Sequence, residues 1–461
     1  MKKIILILVA VTLFLSCERK IDEFPADSNG VNFSHFVAVG NSMVAGYGDN
    51  ALYLSGQQQS IPNIMAVQFK TVGGGDFVQP LIGTEEGVGV TAIPGGIYCN
   101  TKMVLKVVPD VDCNGNPVGT ASLKPALLNP TADQSTLIAQ LMAPPTVAGP
   151  YDNYGVPGLS LQAAFMPGYG AYNPYFARFA SITATSSVIG EAASRQPSFF
   201  MMWLGDMDAL ASALAGTDLL LTPVDTFAKY YPMATGALLA SGNSPKGVVA
   251  TIPDVTSLPF FNTISKQLPY NGVTLTADQA AGLNFLYNMW GHGDIVWEEG
   301  QNPFVYSKPD GSWRQMQAGD LFLLTLPTDS IKCKGMGVAN PVTYQPYPIP
   351  GEFVLDITEQ ANIKARTDQF NQIIKATAAT QKLAVADMNT YLKSFVSGMV
   401  FDGIKLSTTF VTGGLFSTDG VHLNPRGKAI AANYFIQAVN DYYGCRIPQA
   451  DITRYPGLVF P

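Results

Sequence analysis

Charge is scarce in this chain. Asp, Glu, Lys and Arg make up 13% of its 461 residues, about half of the ~25% usual in globular proteins. The formal charge is −7 and no basic stripe is present, which excludes the counterion-releasing surface of a nucleic-acid binder. Histidine is scarcer, with only His35, His292 and His422. Zinc-type spacing of Cys and His, a phosphate loop and a dinucleotide fingerprint are all missing. Any chemistry is therefore expected to run without a cofactor or a metal. Glycine and proline, at 44 and 32 residues, are plentiful and imply much loop.

Runs long enough to span a membrane, ~20 apolar residues, are missing as well. Ile4–Leu15, a 12-residue and almost wholly apolar stretch, is too short; behind Lys2-Lys3 it reads as a secretory signal. It ends in Phe14-Leu15-Ser16-Cys17, which resembles a bacterial lipobox with Cys17 as the lipidated residue. An ordinary secretory signal is the alternative. The expectation is a signal over 1–17, a polar tether over 18–30, and a lipid anchor in the cell envelope, with the outer membrane as the expected address. Cys99, Cys113, Cys333 and Cys445 remain, and four cysteines allow three connectivities. Cys99–Cys113, the pair nearest in sequence, is the favoured bridge, with free buried thiols as the alternative.

Chemistry concentrates in two distant segments. Phe36–Val39 reads as a buried strand, followed by a turn at Gly40-Asn41 and then Ser42 on a loop of small residues. Parallel sheets expose reactive groups at the carboxyl ends of their strands. A serine there needs a base to become a nucleophile. His422 lies in Ser417-Thr-Asp419-Gly-Val-His422-Leu-Asn-Pro425, where Asp419 can hold the imidazole from three residues away. Ser42, His422 and Asp419 thus supply nucleophile, base and orienting acid. His35 enters the first strand from the end away from Ser42, and His292 has no nucleophile or ligand cluster around it in sequence; both are expected to be structural.

The GNSM stretch with small residues after it, and the late DxxH, resemble the SGNH (GDSL-type) hydrolases, in particular lipoprotein members from Bacteroidetes-type bacteria. The resemblance covers most of 31–442. It implies an α/β fold of three layers: a doubly wound, mostly parallel five-stranded, flavodoxin-like sheet. Two large insertions, at about 76–150 and 262–350, would decorate a hydrolase domain over 31–445, leaving 446–461 as a tail. Asn153-Tyr-Gly-Val-Pro-Gly158 matches the family's second motif, in which the backbone N–H groups of the nucleophile and of the glycine, here Ser42 and Gly158, bind the oxyanion. Gly205-Asp206-Met207-Asp208 occupies the place of the third motif, GxND. Its donor asparagine is replaced by Met207, whose thioether cannot donate; losing one such donor costs about 10²–10³ in kcat.

Elsewhere, 59–69, 176–187, Thr276–Trp290 and Thr358–Ala379 read as helices, and Val248–Asp254 and the Leu383 region as strands. A final helix opens at Pro425 behind the cap Asn424. Asp110-Val-Asp112-Cys-Asn114-Gly-Asn116 mimics a calcium loop, but its twelfth position is Ala121, so a turn is expected. A second Gly-Asn-Ser, at 242–244, precedes its strand and is expected to be a decoy. Adjacent Glu298-Glu299 diverge and make a poor glycosidase pair. Trp290, Trp297 and Trp313 gather within 262–350, either as that region's own core or as a pocket lining. The expected function is a lipid-anchored serine ester hydrolase acting on a small-molecule, lipid or glycan ester. The alternative is a catalytically weak surface lipoprotein that binds glycan or lipid through its aromatic region.

Overall fold

The computed structural model describes residues 25–93, 96–241, 244–401 and 403–461. The signal, Cys17, most of the tether and residues 242–243 of the second Gly-Asn-Ser lie outside them. Five short strands with mainly apolar, buried residues form one sheet: β1 (Phe36–Gly40), β2 (Asn153–Gly155), β3 (Phe199–Trp203), β4 (Lys246–Ala250) and β5 (Ala384–Ala386). Their order is β2-β1-β3-β4-β5 and every neighbouring pair is parallel. Burial on both faces explains why β1 and β3 read as continuous apolar runs.

Alternate strand residues feed two separate cores. Phe36, Ala38, Phe199 and Met201 pack on one face with Ile64 and Phe69 of α2 (Ile61–Phe69) and with Phe435 and Ile436 of α7 (Pro425–Tyr443). Val37, Val39, Phe200 and Met202 pack on the other face with α3 (Val188–Ser194), α5 (Val224–Leu239) and Phe370 and Ile374 of α6 (Ile357–Gln381). Helices therefore cover both faces. Asp356 caps α6 through a capping box with Glu359, which starts the helix one residue ahead of the expected Thr358. The strand order reverses beside β1, and in such sheets the crevice at the reversal, outside the carboxyl ends, is where ligands bind.

A third core gathers Tyr287, Trp297, Phe304 and Tyr306 within residues 273–354. Trp313 packs against it and stacks on His292 at 3.6 Å, whereas Trp290 is exposed. Residues 76–150 hold two antiparallel pairs, Gly89–Ile93 with Gly96–Asn100 and Met103–Val111 with Pro117–Leu127, followed by the helix Gln134–Met142. Asp112 spends its carboxylate on the N–H groups of Asn114 and Asn116, and Asp110 on Thr120, Ser122 and Lys124, so both serve the hairpin's own turn.

Three expectations are corrected. The disulfide is Cys113–Cys333, not Cys99–Cys113. Cys99 is buried in the second core, and the nine-residue strand Met103–Val111 carries Cys113 away from it by about 30 Å. The bridge ties the hairpin tip to the helix Thr328–Lys334; Cys99 and Cys445 are free. The helix expected over 176–187 is only Pro174–Ala177, because Ser181, Ile182 and Ser186 turn the backbone through side-chain bonds. The tether ends sooner than residue 30: Asp27 pairs with Arg446 and the Cys445 thiol donates to the Ser28 carbonyl. No helix of the described residues is long and apolar enough to cross a membrane.

Candidate active site

The turn after β1 is built by close backbone packing. A Cβ on Gly40 would lie 2.3 Å from the Trp203 carbonyl oxygen, and one on Gly155 would lie 2.2 Å from the Ala45 nitrogen. Only glycine lets β1, β2 and β3 converge this tightly. Ser42 is not on an open loop but is the first residue of a single helical turn, α1 (Ser42–Ala45). Asn41 caps this turn, its Oδ1 accepting from Met43 N at 3.0 Å. Gly46, at φ +83°, ends the turn by donating its N–H to the Ser42 carbonyl.

The second segment folds into a tight loop before α7. Asp419 Oδ1 accepts from the backbone N–H of Val421 at 2.9 Å and of His422 at 2.8 Å. Asn424 then caps α7 through Gly427 N, with Pro425 in the first helical position. Asp49 fastens the two segments together. Its Oδ1 accepts from Thr418 N and Oγ1, its Oδ2 accepts from the Tyr53 hydroxyl, and its own N–H donates to Ser417 Oγ.

This assembly brings together residues 380 positions apart: His422 Nε2 lies 2.8 Å from Ser42 Oγ, and its Nδ1 lies 2.9 Å from Asp419 Oδ2. Asn50 N–H donates to the same Oδ2 at 2.9 Å. The Tyr47 ring lies against the imidazole, its centroid 4.9 Å away. Ser42 is 7% exposed. Burial alone would raise the Asp419 carboxyl. The electrostatic pull of the His422 imidazole and the N–H donors of His422 and Asn50 outweigh it and hold the group well below the usual carboxylate range. The carboxylate therefore stays ionised and fixes the imidazole with Nδ1–H toward itself, leaving Nε2 free to accept from Ser42.

Val156 N donates to the Gly40 carbonyl at 2.9 Å, which draws the segment leading to Gly158 alongside the turn that carries Ser42. Gly158 is exposed at φ +79°, and Asn173 Nδ2 fixes its neighbour Pro157 through the carbonyl at 2.8 Å. Among the described residues, neither Ser42 N–H nor Gly158 N–H has an acceptor. The Gly205–Asp208 segment lies beside β1, because it follows β3. Gly205 adopts φ +118°, and Met207 opens α4 (Met207–Leu214) packed against the first core. Asp208 is buried and ties this segment to the chain just beyond Gly158 by accepting from Leu161 N at 2.8 Å, and it also accepts from Thr222 Oγ1 at 2.8 Å; burial pushes it up to about 6.

Sequence reasoning missed several supporting groups. Lys428 of α7 is buried and donates to the Gly46 carbonyl at 2.7 Å, behind the turn that carries Ser42. Asp206, also buried, accepts from Trp203 and Asn41. Asn41 and Asp206 were visible as members of the Gly40-Asn41 turn and the Gly205–Asp208 stretch, with Asp206 considered only as a donor that would have to be protonated; their contact with each other had no signal. His35 sits at the opposite end of β1 from Ser42, 3.2 Å from Asp152 and 3.1 Å from Arg195. No family model, curated protein or solved structure matches the chain.

Proposed function

We propose that the protein is a serine ester hydrolase of the SGNH type, held at the cell envelope by a lipid on Cys17. One observation carries the reading: Ser42, His422 and Asp419 form a continuous relay with links of 2.8 and 2.9 Å. Ser42 Oγ attacks the ester carbonyl carbon while its proton passes to His422 Nε2. Asp419 stabilises the imidazolium. The oxyanion meets the backbone N–H groups of Ser42 and Gly158. His422 then protonates the leaving alcohol, and water, activated by the same imidazole, releases the acid. Residues 76–150 and 262–350 are insertions on the hydrolase domain, and the substrate is a carboxylic ester bearing an acetyl or longer acyl group.

The purified protein is expected to cleave p-nitrophenyl acetate or butyrate; Ser42→Ala cleaving as fast would overturn the mechanism. The rival reading, a binding lipoprotein, draws on Met207, which supplies no donor. Against it, Trp297 and Tyr287 are spent on the third core. A fluorophosphonate probe that leaves Ser42 unlabelled in folded protein would favour the binder.

A further inference from the structure

Ser42 is flanked by a buried polar pair that the relay does not use. Asp206 is 4% exposed and Asn41 is 1% exposed. Asp206 Oδ1 accepts from Trp203 Nε1 at 3.0 Å, and Oδ2 accepts from Asn41 Nδ2 at 3.3 Å. Asn41 turns its other amide atom toward the nucleophile turn, where Oδ1 accepts from Met43 N at 3.0 Å. Its backbone carbonyl accepts from Val44 N and Ala45 N. Asn41 therefore occupies the N–H groups of the three residues after Ser42, and the N–H of Ser42 itself has no partner among the described residues.

An ionised carboxylate only accepts. With both oxygens facing donors, Asp206 permits one orientation of the Asn41 amide: NH₂ toward Asp206 and oxygen toward Met43. Rotating the amide by half a turn would set oxygen against oxygen at Asp206 and NH₂ against N–H at Met43. We infer that Asp206 is a positioning residue for Ser42, acting through Asn41: the carboxylate locks the amide that holds the turn bearing the nucleophile. This rests on the ester-hydrolase reading. It adds a reason for an aspartate beside the position where Met207 leaves a donor missing.

The structure supplies a swap that separates positioning from mere packing. In Asp206→Asn the new amide keeps its oxygen for Trp203 and turns its NH₂ onto that of Asn41, so Asn41 must rotate away from Met43. In Asn41→Asp two carboxylates face each other. In the double variant N41D/D206N, the carboxylate now at position 41 accepts from Met43 N and from the amide NH₂ now at position 206. The oxygen of that amide accepts from Trp203, so every contact is restored with the donor and acceptor exchanged.

The test is kcat and KM on p-nitrophenyl butyrate, with thermal melting of each variant alongside. Burial pushes the Asp206 carboxyl up to about 7, so the assay runs at pH 8.5, where the group is ionised. Each single variant is expected to lose about 10- to 100-fold in kcat with KM within about twofold. The double variant is expected to recover to within about threefold of wild type. Wild-type kcat in folded D206N, or a double variant no better than the worse single one, overturns the proposal. Should D206N not fold, Asn41→Ala takes its part, and wild-type kcat in that variant overturns the proposal equally. Inactive wild type removes the hydrolase reading and this proposal together; active wild type with unchanged D206N removes this proposal alone.

Discussion

Asp419→Asn strikes the relay where the structure leaves least room for adjustment. The carboxylate accepts from four N–H groups: His422 Nδ1 and Asn50 N on Oδ2, and Val421 N and His422 N on Oδ1. An amide keeps one acceptor oxygen, so its NH₂ must face two donors whichever way it turns. Facing the ring, it forces Nδ1 to accept, the proton moves to Nε2, and the imidazole can no longer take the proton of Ser42. Facing the backbone, it leaves two buried N–H groups of the loop unpaired, at ~1–3 kcal/mol each. Loss of the correct tautomer costs about 10⁴ in kcat in such relays, or about 5 kcal/mol of barrier. The expected outcome is a fall of about 10³–10⁴ in kcat on p-nitrophenyl butyrate, KM within a few-fold, and a melting temperature lower by a few degrees. Kinetics and melting are read on the same preparation. A folded D419N protein that keeps more than about a tenth of wild-type kcat refutes the reasoning.

Gly155→Ala sets a methyl 2.2 Å from the backbone of α1. It should cost at least ~1–3 kcal/mol in urea unfolding together with most esterase activity, and a neutral result would contradict the close packing. Lys428 is depressed to about 8 from its ordinary 10.5, first by burial, against the pull of Asp49 and Asp419. Between those values the unfolded chain binds more protons than the folded one, so wild type should gain stability as pH rises through that window. Lys428→Met should not; unfolding free energies at pH 8 and 10 check this, and a constant difference between the two proteins sinks it. Cys113→Ser frees the hairpin tip from the helix at Cys333, so limited proteolysis should cut first within 103–127. Equal resistance in the variant and wild type would show that the hairpin does not depend on its tether.

The relay was legible because histidine is so rare. With three candidates and one acid three residues from His422, elimination found the pair, and the strand ahead of Ser42 gave its position. Strands β1 and β3 were legible because burial on both faces leaves only apolar letters. β2 was not: Asn153–Gly155 is three residues long, and the Asn153 side chain is occupied with Val44 and Gln79. Only its motif marked it. The strand expected at Val248–Asp254 is Lys246–Ala250. Beyond Ala250, Thr251 N still bonds the Ala386 carbonyl, and side chains then take over: Thr251 Oγ1 bonds Asp387, and Ile252 N bonds Asn371.

What stayed hidden depends on the pairing of distant segments rather than on local pattern. Asn41 and Asp206 follow different strands, and their contact exists because Gly40 pairs with Trp203 across the sheet. Sequence spacing of 165 residues carries no hint of that register. Lys428 stands among small apolar residues on α7, a place where lysine ordinarily reaches solvent. Its burial follows from α7 lying across α2, which turns that face toward Gly46. Both groups bear on Ser42 from below, through the turn that carries it. Asn41 and Asp206 stand inside the two quoted stretches, yet their contact with each other is recorded only in the pairing of strands. The swapped pair at 41 and 206 therefore tests more than one contact, since it asks whether the supporting polarity can be inverted while the relay above it is left untouched.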